Sequence, residues 1–218
     1  MLIGRLKVFL RVKGFSLREK IKVIRLFYKK PKFALFDLLI SLYTFFQNPY
    51  RLCRKYWIEK ESHQIYGEMP LSQFAHLTKW AEIQKEDHFL ELGSGLGRIS
   101  FWIATQGIKA AGIEKIPSFS RASSFLAKVV RCKNVEFFHA DNREKDFSPY
   151  SFIYLYATVE KEKDLKLLFS RMRSCKKGTK VLSISAPASQ YDSSFCLLKK
   201  TYVELPWGKA EVFLAKKV

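Results

Sequence analysis

The hydrophobic pattern of the chain changes near residue 88. From there to the C-terminus, short apolar runs of strand length alternate with longer stretches of helical periodicity. The predicted strands are 88–92, 109–114, 135–140, 152–157 and 179–185, and the predicted helices between them are 98–105, 117–130 and 159–173. Two further strands, 195–204 and 210–216, follow without an intervening helix. This order predicts an α/β fold with a mostly parallel sheet, right-handed crossovers and a terminal antiparallel hairpin.

The N-terminal quarter has a different pattern, in which basic and apolar residues are interleaved. The periodicity predicts one helix that ends before Pro31 and a second, more apolar helix at 33–46, closed by Asn48-Pro49. The first helix has an apolar face formed by Ile21, Ile24 and Tyr28. Both helices are typical of an interface between an apolar and an aqueous environment.

Net charge separates the same two parts of the chain. The whole sequence carries +19, and residues 1–56 contain 14 Lys or Arg against two acids, Glu19 and Asp37. Residues 57–218 carry only +7. So basic a chain is expected to have an anionic partner. We therefore predict a basic, apolar helical extension at 1–56 and an α/β domain at 57–218.

Two interpretations of the extension stay open at this point. It is either a membrane-surface anchor, with lysines above anionic headgroups, or a helical cap that packs on the domain with solvated lysines. Nucleic-acid binding is a third alternative. The apolar run at 33–46 has 14 residues, whereas a transmembrane helix needs about 20.

Cysteine and histidine usage predicts no metal site. The cysteines lie far apart without a Cys-x-x-Cys pair, and the histidines have no metal-ligand spacing. Lys and Arg interrupt the apolar residues throughout 1–32, which argues against a secretory signal peptide. These features predict a cytoplasmic protein, peripheral at the inner face of a membrane if the extension is an anchor.

The most informative motif is Phe-Leu-Glu-Leu-Gly-Ser-Gly-Leu-Gly at 89–97, where a strand passes through three alternate glycines into a helix. A dinucleotide fingerprint would require glycine at 98, where Arg98 stands, and the Gly-Lys-Ser/Thr of a phosphate loop is missing. Glu91, two residues before Gly93, suits a ligand that carries an ammonium group. The motif therefore favours an amino-acid-bearing nucleoside over a pyrophosphate.

With this motif, the region from about residue 62 to the C-terminus resembles class I S-adenosylmethionine (SAM)-dependent methyltransferases. The resemblance implies a Rossmann-like, seven-stranded, mostly parallel sheet with a C-terminal antiparallel hairpin, and SAM as cofactor without a metal. It implies that Glu114, with Lys115, holds the ribose, and that Asp141, with Asn142, contacts the adenine amino group. It assigns the methionine and ribose parts of SAM to the glycine-rich loop: Glu91, Gly93, Ser94, Gly95 and Gly97.

The fourth strand supplies the reaction site in this fold. Tyr154, Tyr156 and Thr158 alternate and so share one direction, either flanking the transferred methyl group or filling space between sheet and helix. The strand end lacks the Asn/Asp-Pro-Pro-Tyr signature of DNA amino-methyltransferases and the Pro-Cys pair of cytosine C5 enzymes.

Two subfamily resemblances concern the substrate. Tyr66-Gly67-Glu68, followed by Gly-Ile-Glu-Lys at 112–115, resembles the non-SET histone lysine methyltransferases of the disruptor-of-silencing type, although Tyr156-Ala157-Thr158 replaces their Asn-Asn-Phe. The Leu-Gly-Ser-Gly-x-Gly-Arg-Ile series and the Trp-Gly hairpin resemble those of small lysine methyltransferases. One family of these enzymes methylates the c subunit of ATP synthase.

These resemblances favour a protein lysine N-methyltransferase with a macromolecular acceptor. In this hypothesis Tyr66, Tyr154 and Tyr156 wall the lysine channel, while Glu68 orients the amine or ties down the loop that carries it. Thr158 completes the candidate catalytic set. Two alternatives stay open: an RNA or DNA methyltransferase that uses the basic arm for phosphates, and a non-catalytic, membrane-associated SAM-binding scaffold.

Overall fold

The computed structural model describes residues 2–27, 29–59, 67–158 and 161–218. Within these ranges the strands are β1 (His88–Leu92), β2 (Lys109–Glu114), β3 (Val135–His139), β4 (Phe152–Tyr156), β5 (Lys180–Ile184), β6 (Phe195–Leu205) and β7 (Gly208–Lys217). The helices are α1 (Leu2–Phe27), α2 (Pro31–Phe46), α3 (Pro49–Glu59), α4 (Leu71–Trp80), α5 (Arg98–Thr105), α6 (Pro117–Val129), α7 (Glu162–Arg171) and α8 (Ala188–Tyr191).

The seven strands form one sheet in the order β3-β2-β1-β4-β5-β7-β6. Neighbours from β3 to β5 are parallel, whereas β7 is antiparallel to both β5 and β6. This confirms the predicted Rossmann-like fold, and most predicted strand ends lie within two residues of the observed ones. The helix predicted at 159–173 corresponds to the shorter helix α7, which runs from Glu162 to Arg171. A 3₁₀ turn follows it directly.

The sheet is buried on both faces, as its nearly continuous apolar strands predict. One face packs under α4, α5 and α6 around Phe74, Phe89 and Phe101. The other face packs under α7 around Leu155, Phe169 and neighbouring side chains. The two layers of helices hold the carboxyl ends of the parallel strands at one common edge, and this edge carries the site described below.

A third layer is formed by α2, which lies on α5 and α6. The ring of Phe36 stacks on Phe101 with centroids 3.8 Å apart, and Phe33 meets Trp102 edge-on at 5.5 Å. Full burial of Phe33, Phe36 and Ile40 contributes about 2 kcal/mol for each side chain. One face of α2 therefore has the packing that the cap hypothesis requires.

The N-terminal helices confirm that the first helix ends before Pro31 and correct the start of the second. Helix α1 ends at Phe27, and Pro31 is the first residue of α2, two residues before the predicted start, because its missing N–H costs nothing there. The Asn48-Pro49 pair ends α2 and also begins an unexpected helix, α3. Asn48 Oδ1 accepts hydrogen bonds from the N–H groups of Tyr50 and Arg51, which makes it an N-cap. The predicted domain boundary after residue 56 falls inside α3.

None of the helices in the described ranges has both the length and the apolar character required to cross a bilayer.

Candidate active site

A cavity of about 750 Å³ opens at the carboxyl edge of the sheet. It lies over the ends of β1, β2 and β4, next to the point where the strand order reverses between β1 and β4. Ligands of open α/β sheets bind at such a reversal. The volume lies within the range that holds a nucleoside-sized cofactor together with part of a substrate.

The glycine-rich loop between β1 and α5 forms the floor of this cavity. Gly93 has a φ of +71°, and a Cβ built on it would meet no atom within 4 Å, so this position faces open space. Ser94 and Gly95 also line the cavity. A bound ligand can therefore approach the backbone of this loop closely.

Gly97 differs from Gly93 and Gly95, because it does not line the cavity. It is the N-cap of α5 with a φ of +79°, and a Cβ there would lie 2.3 Å from the Phe137 ring of β3. The resemblance assigns Gly97 to the cofactor, whereas the structure gives it a packing role behind the loop. Only glycine lets α5 begin this close to β3.

Glu91 is a buried acid at the end of β1. Its Oε2 accepts hydrogen bonds from the Ser100 N–H at 2.9 Å and the Ser100 hydroxyl at 2.6 Å. Burial raises the pKa of Glu91 to about 8, against the opposing effect of the two Ser100 hydrogen bonds. A carboxylate that is costly to ionise in this buried position is stabilised by a ligand cation, which fits the predicted ammonium contact.

Glu114 ends β2 and fastens the glycine-rich loop. Its Oε2 accepts from the Gly95 N–H at 2.7 Å and its Oε1 from the Ile116 N–H at 2.7 Å. Burial raises the pKa of this carboxyl group. The backbone of Lys115 is a third donor to this carboxyl group, so of its roughly four acceptor positions one remains for a ribose hydroxyl group.

Asp141 follows β3 and belongs to a network of charges. Its Oδ2 accepts from Lys115 Nζ at 2.6 Å and from Arg143 Nη2 at 2.6 Å, and Arg143 also bonds Asp164 of α7. The hydrogen bonds from Arg143 and Lys115 hold the pKa of Asp141 well below its usual range. Asn142 lines the same end of the cavity. An adenine amino group would share Asp141 with Arg143, a residue that sequence reasoning did not single out.

The side chains predicted on β4 are divided between two environments. Tyr154 is paired with Glu91 across the strands and is fully buried, with its ring 4.8 Å from that of Phe74. Its hydroxyl has no hydrogen-bond partner among the described residues, although Tyr154 lines the cavity. Burial raises its pKa well above the ordinary value. The ring therefore fills space under α4, as the packing interpretation expects, while its orphaned hydroxyl is available to a ligand.

Tyr156 and Thr158 lie further out, at the mouth of the cavity on the β4 side. Tyr156 is partly buried, and a Cβ on Gly67 would lie 3.6 Å from its ring, so the loop before α4 covers this tyrosine. Tyr66, the first residue of the predicted Tyr-Gly-Glu element, lies outside the described residues.

Glu68 in this loop is connected to the N-terminal extension through one arginine. Arg98, the first residue of α5, bonds Glu68 at 2.9 Å and Asp37 of α2 at 2.8 Å. Burial is the largest effect on Asp37 and raises its pKa, against the lowering effect of Arg98. The loop over Tyr156 is thus held partly by a residue of the extension.

Several cavity residues lay beyond sequence reasoning. Cys53 and Trp57 come from the unexpected helix α3, and Trp207 comes from the β6–β7 turn. A helical interpretation of 49–59, which the sequence analysis did not make, would have been the signal for Trp57. Among the described residues, no three His, Cys, Asp or Glu side chains are grouped as metal ligands.

The sheet order, the glycine-rich loop and the two acids at the ends of β1 and β2 define a class I SAM-dependent methyltransferase. Within that class, the family model for "Histone methylation protein DOT1" matches residues 47–167, more than half of the chain. The chain belongs to this family. The match includes α3, the glycine-rich loop, Glu114, Asp141 and the end of β4.

Individual relatives carry other substrates in their names. The chain is 26% identical to the 23S rRNA (uracil(1939)-C(5))-methyltransferase RlmD of Mannheimia succiniciproducens, over 38% of this chain and 24% of that protein. The chain thus spans only about a quarter of the curated relative that it matches.

Two solved structures show the shared fold. An RNA methyltransferase from Salinibacter ruber in complex with S-adenosyl-L-homocysteine is similar with a TM-score of 0.55 and 23% identity, over 69% of this chain and 92% of that one. The magnesium protoporphyrin IX methyltransferase ChlM of Synechocystis PCC 6803 with bound SAM has a TM-score of 0.59 and 11% identity, over 82% and 96%.

Proposed function

We propose that this SAM-dependent methyltransferase transfers methyl groups to lysine side chains of a protein. The observation that carries the proposal is the β4 side of the cavity, where Tyr156 lies under a loop that contains Gly67 and Glu68. Membership in a family described as a histone methylation protein supports the same substrate class. An aromatic wall under a covering loop suits an extended aliphatic chain that ends in an amine.

The residues of the cavity fit SAM. The open space at Gly93, the buried carboxylate of Glu91 and the unpaired hydroxyl of Tyr154 provide a place for the methionine part. Glu114 and Asp141 would hold the ribose and the adenine amino group. SAM, when bound, supplies an electrophilic methyl group on a sulfonium.

The chain itself would provide orientation and exclusion of water. A lysine that enters beside Tyr156 leaves bulk water, and this loss of solvation lowers the pKa of its ammonium group towards the neutral, nucleophilic form. Once the amine is neutral, the main remaining task of the protein is to hold it in line with the methyl group. Glu68 acts here as a positioning residue, because its bond to Arg98 holds the covering loop over the tyrosine.

Transfer of tritiated methyl groups from SAM into cell extract tests the proposal. Protease-sensitive label that is recovered as methyllysine after acid hydrolysis is expected. Tyr156→Leu, which removes the aromatic wall, and Glu68→Gln, which weakens the bond to Arg98, should each lower kcat about ten-fold with SAM affinity nearly unchanged, because they act on the acceptor and not on the cofactor. The matched control Tyr202→Leu, at an exposed tyrosine on β6, should have wild-type activity.

RNA is the second candidate substrate. The rRNA methyltransferase relative supports it, and so do Lys161 and Lys163, which are exposed at the rim of the cavity where an anionic strand would pass. Label that is sensitive to ribonuclease and absent from protein would replace the lysine proposal with this one. A steep loss of turnover with salt would accompany it, since phosphate contacts release counterions.

A further inference from the structure

Helix α1 has two opposite faces. The half-buried face is turned to the domain, and its members are Phe15, Glu19 and Val23. Glu19 accepts hydrogen bonds from both the N–H and the hydroxyl of Ser72 at the start of α4. About half a helical turn away, the outward face exposes three aliphatic side chains, Leu17, Ile21 and Ile24.

Helix α2 repeats this arrangement with larger side chains. Its inward face is the one buried on α5, and its outward face is formed by Leu35, Leu38, Leu42, Phe45 and Phe46. Phe45 and Phe46 are 82% and 77% exposed, which is rare for aromatic side chains of a soluble surface. Tyr50 at the start of α3 extends this surface with another exposed ring. We call the outward faces of α1 and α2 the apolar surface.

Charge around the apolar surface has one sign. The exposed basic side chains of the three N-terminal helices and of the turn before α2 include Arg18, Lys20, Lys22, Arg25, Lys29, Lys32, Arg51, Arg54 and Lys55. Among the described side chains of these helices, Glu19 and Asp37 are the carboxylates, and both are turned inward to Ser72 and Arg98. The outward surface is therefore apolar and basic without an acidic group among the residues that the structure describes there.

We propose that the apolar surface binds an anionic lipid bilayer, with α1 and α2 lying in the plane of the interface. Aliphatic and aromatic side chains would enter the boundary between headgroups and acyl chains, and the basic side chains would contact the headgroups. Because the Phe36 and Phe101 rings hold the other face of α2 on the domain, the bilayer would lie across the α4–α5–α6 side of the molecule.

The composition of the surface favours lipid over the other candidate occupants. Nucleic acid is bound by basic grooves of polar and stacking residues, and the eight bulky apolar side chains of the apolar surface would stay exposed to water on a phosphate backbone. A second copy would bring the same cations against each other, since a two-fold interface places like surfaces face to face. A bilayer with anionic lipid satisfies both the apolar centre and the basic rim.

Flotation of the whole 218-residue chain with vesicles tests the proposal without any assay of turnover. One set of vesicles contains phosphatidylcholine alone, and the other contains phosphatidylcholine mixed with phosphatidylglycerol. Binding to the mixed vesicles only, with a decrease at high salt, is expected. Because flotation does not measure turnover, its result does not depend on whether the lysine proposal is correct.

Two multiple variants address the two parts of the surface. The apolar variant, Leu38→Gln with Leu42→Gln and Phe45→Ser, changes exposed side chains and should lower vesicle affinity at least about 100-fold. The basic variant, Arg18→Gln with Lys22→Gln and Arg25→Gln, should lower it about 100-fold, which corresponds to roughly five-fold for each cation.

Matched controls lie on the far edge of the sheet. Leu198→Gln with Tyr202→Ser changes similarly exposed apolar side chains of β6, and Lys176→Gln with Lys177→Gln removes exposed charge from a turn. Both controls should bind vesicles like wild type. Unchanged circular dichroism and SAM affinity in the apolar and basic variants would show that the domain is still folded.

Three outcomes would overturn the proposal. The first is equal flotation of wild type and the apolar variant, or no flotation of wild type. The second is a wild-type dimer in sedimentation that the apolar variant converts to monomer, which would assign the surface to a second copy. The third is an RNA affinity that depends on the apolar side chains while flotation does not.

Discussion

The two ends of the cavity are built in different ways. At the cofactor end, Glu91 is held by Ser100 of α5, the helix that follows its own strand, and Glu114 is held by Ile116 directly after its strand and by Gly95 of the glycine-rich loop. At the acceptor end, Glu68 reaches its position through Arg98, which also binds Asp37 from the N-terminal extension. Short-range contacts make the first end rigid on its own, whereas the second depends on three segments distant in sequence. Cofactor binding and acceptor handling should therefore respond to different mutations.

The largest effect is expected at the cofactor end. Glu91→Ala with Glu114→Ala removes two buried carboxylates that would bond SAM, and it should weaken SAM binding at least about 1000-fold. Isothermal titration of SAM and S-adenosylhomocysteine measures this loss. Glu136→Ala, at an exposed acid of β3, is the control and should bind like wild type. Retained micromolar affinity in the double variant would remove both acids from the cofactor site.

Two glycines of the glycine-rich loop have different roles, one in packing and one in cofactor binding. Gly97→Ala forces a Cβ against Phe137 at a positive φ, so we expect a loss of about 3 kcal/mol in the free energy of unfolding. Gly93→Ala meets open space, so it should cost only about 1 kcal/mol of stability but should lower SAM affinity. Urea denaturation and titration separate the two effects. Equal stability losses would contradict the assignment of Gly97 to packing.

The pKa of Glu91 predicts how SAM affinity changes with pH. Burial raises this pKa to about 8, so without a bound cation the carboxyl group is protonated at pH 6. Ser100 faces it with two hydrogen bonds, and Glu68 and Glu114 are the charged groups that act on it. A cationic ligand binds the ionised form, so binding releases a proton and affinity should rise with pH, up to about ten-fold per unit between about pH 6 and 7.5.

Glu91→Gln provides the control for this pH dependence. The amide cannot ionise, so the variant should bind SAM more weakly and with a nearly flat profile over the same range. A wild-type affinity that falls as pH rises would contradict the predicted contact between Glu91 and the ammonium group. Proton release can be measured independently by titration in buffers of different ionisation enthalpy.

The smallest effect is expected where the extension meets the acceptor end. Asp37→Asn removes the charge that holds Arg98 from the side of α2, while Glu68 still binds this arginine. We expect kcat to fall about five-fold, with the dissociation constant for SAM unchanged. Asp146→Asn, at an exposed loop acid, is the control. An equal change in SAM affinity would show that the two ends of the cavity are not separable.

Sequence patterns predicted most of the methyltransferase fold and most of the residues that form the floor of the cavity. Strands β1 and β2 and helix α5 have the predicted bounds, because local apolar runs and glycines define them. Of the residues proposed for the cofactor, all but Gly97 line the cavity. The hydrogen-bond and ion-pair partners of these residues could not be predicted in the same way. The bonds of Asp141 to Lys115 and Arg143 depend on the relative position of two loops, which no periodicity records.

The succession of strands and helices in the α/β domain, the glycine-rich loop, its two acids and the basic, apolar character of the extension could all be predicted from the sequence. These properties follow from short-range rules of periodicity, backbone freedom and charge. The tertiary structure was needed to show that α2 packs one apolar face on the domain and exposes the other. It also decided that α3 supplies Trp57 to the cavity and that Asp37 and Glu68 share Arg98. An apolar side chain is equally apolar whether it meets a protein core or a surface, and the packing of distant segments makes that choice.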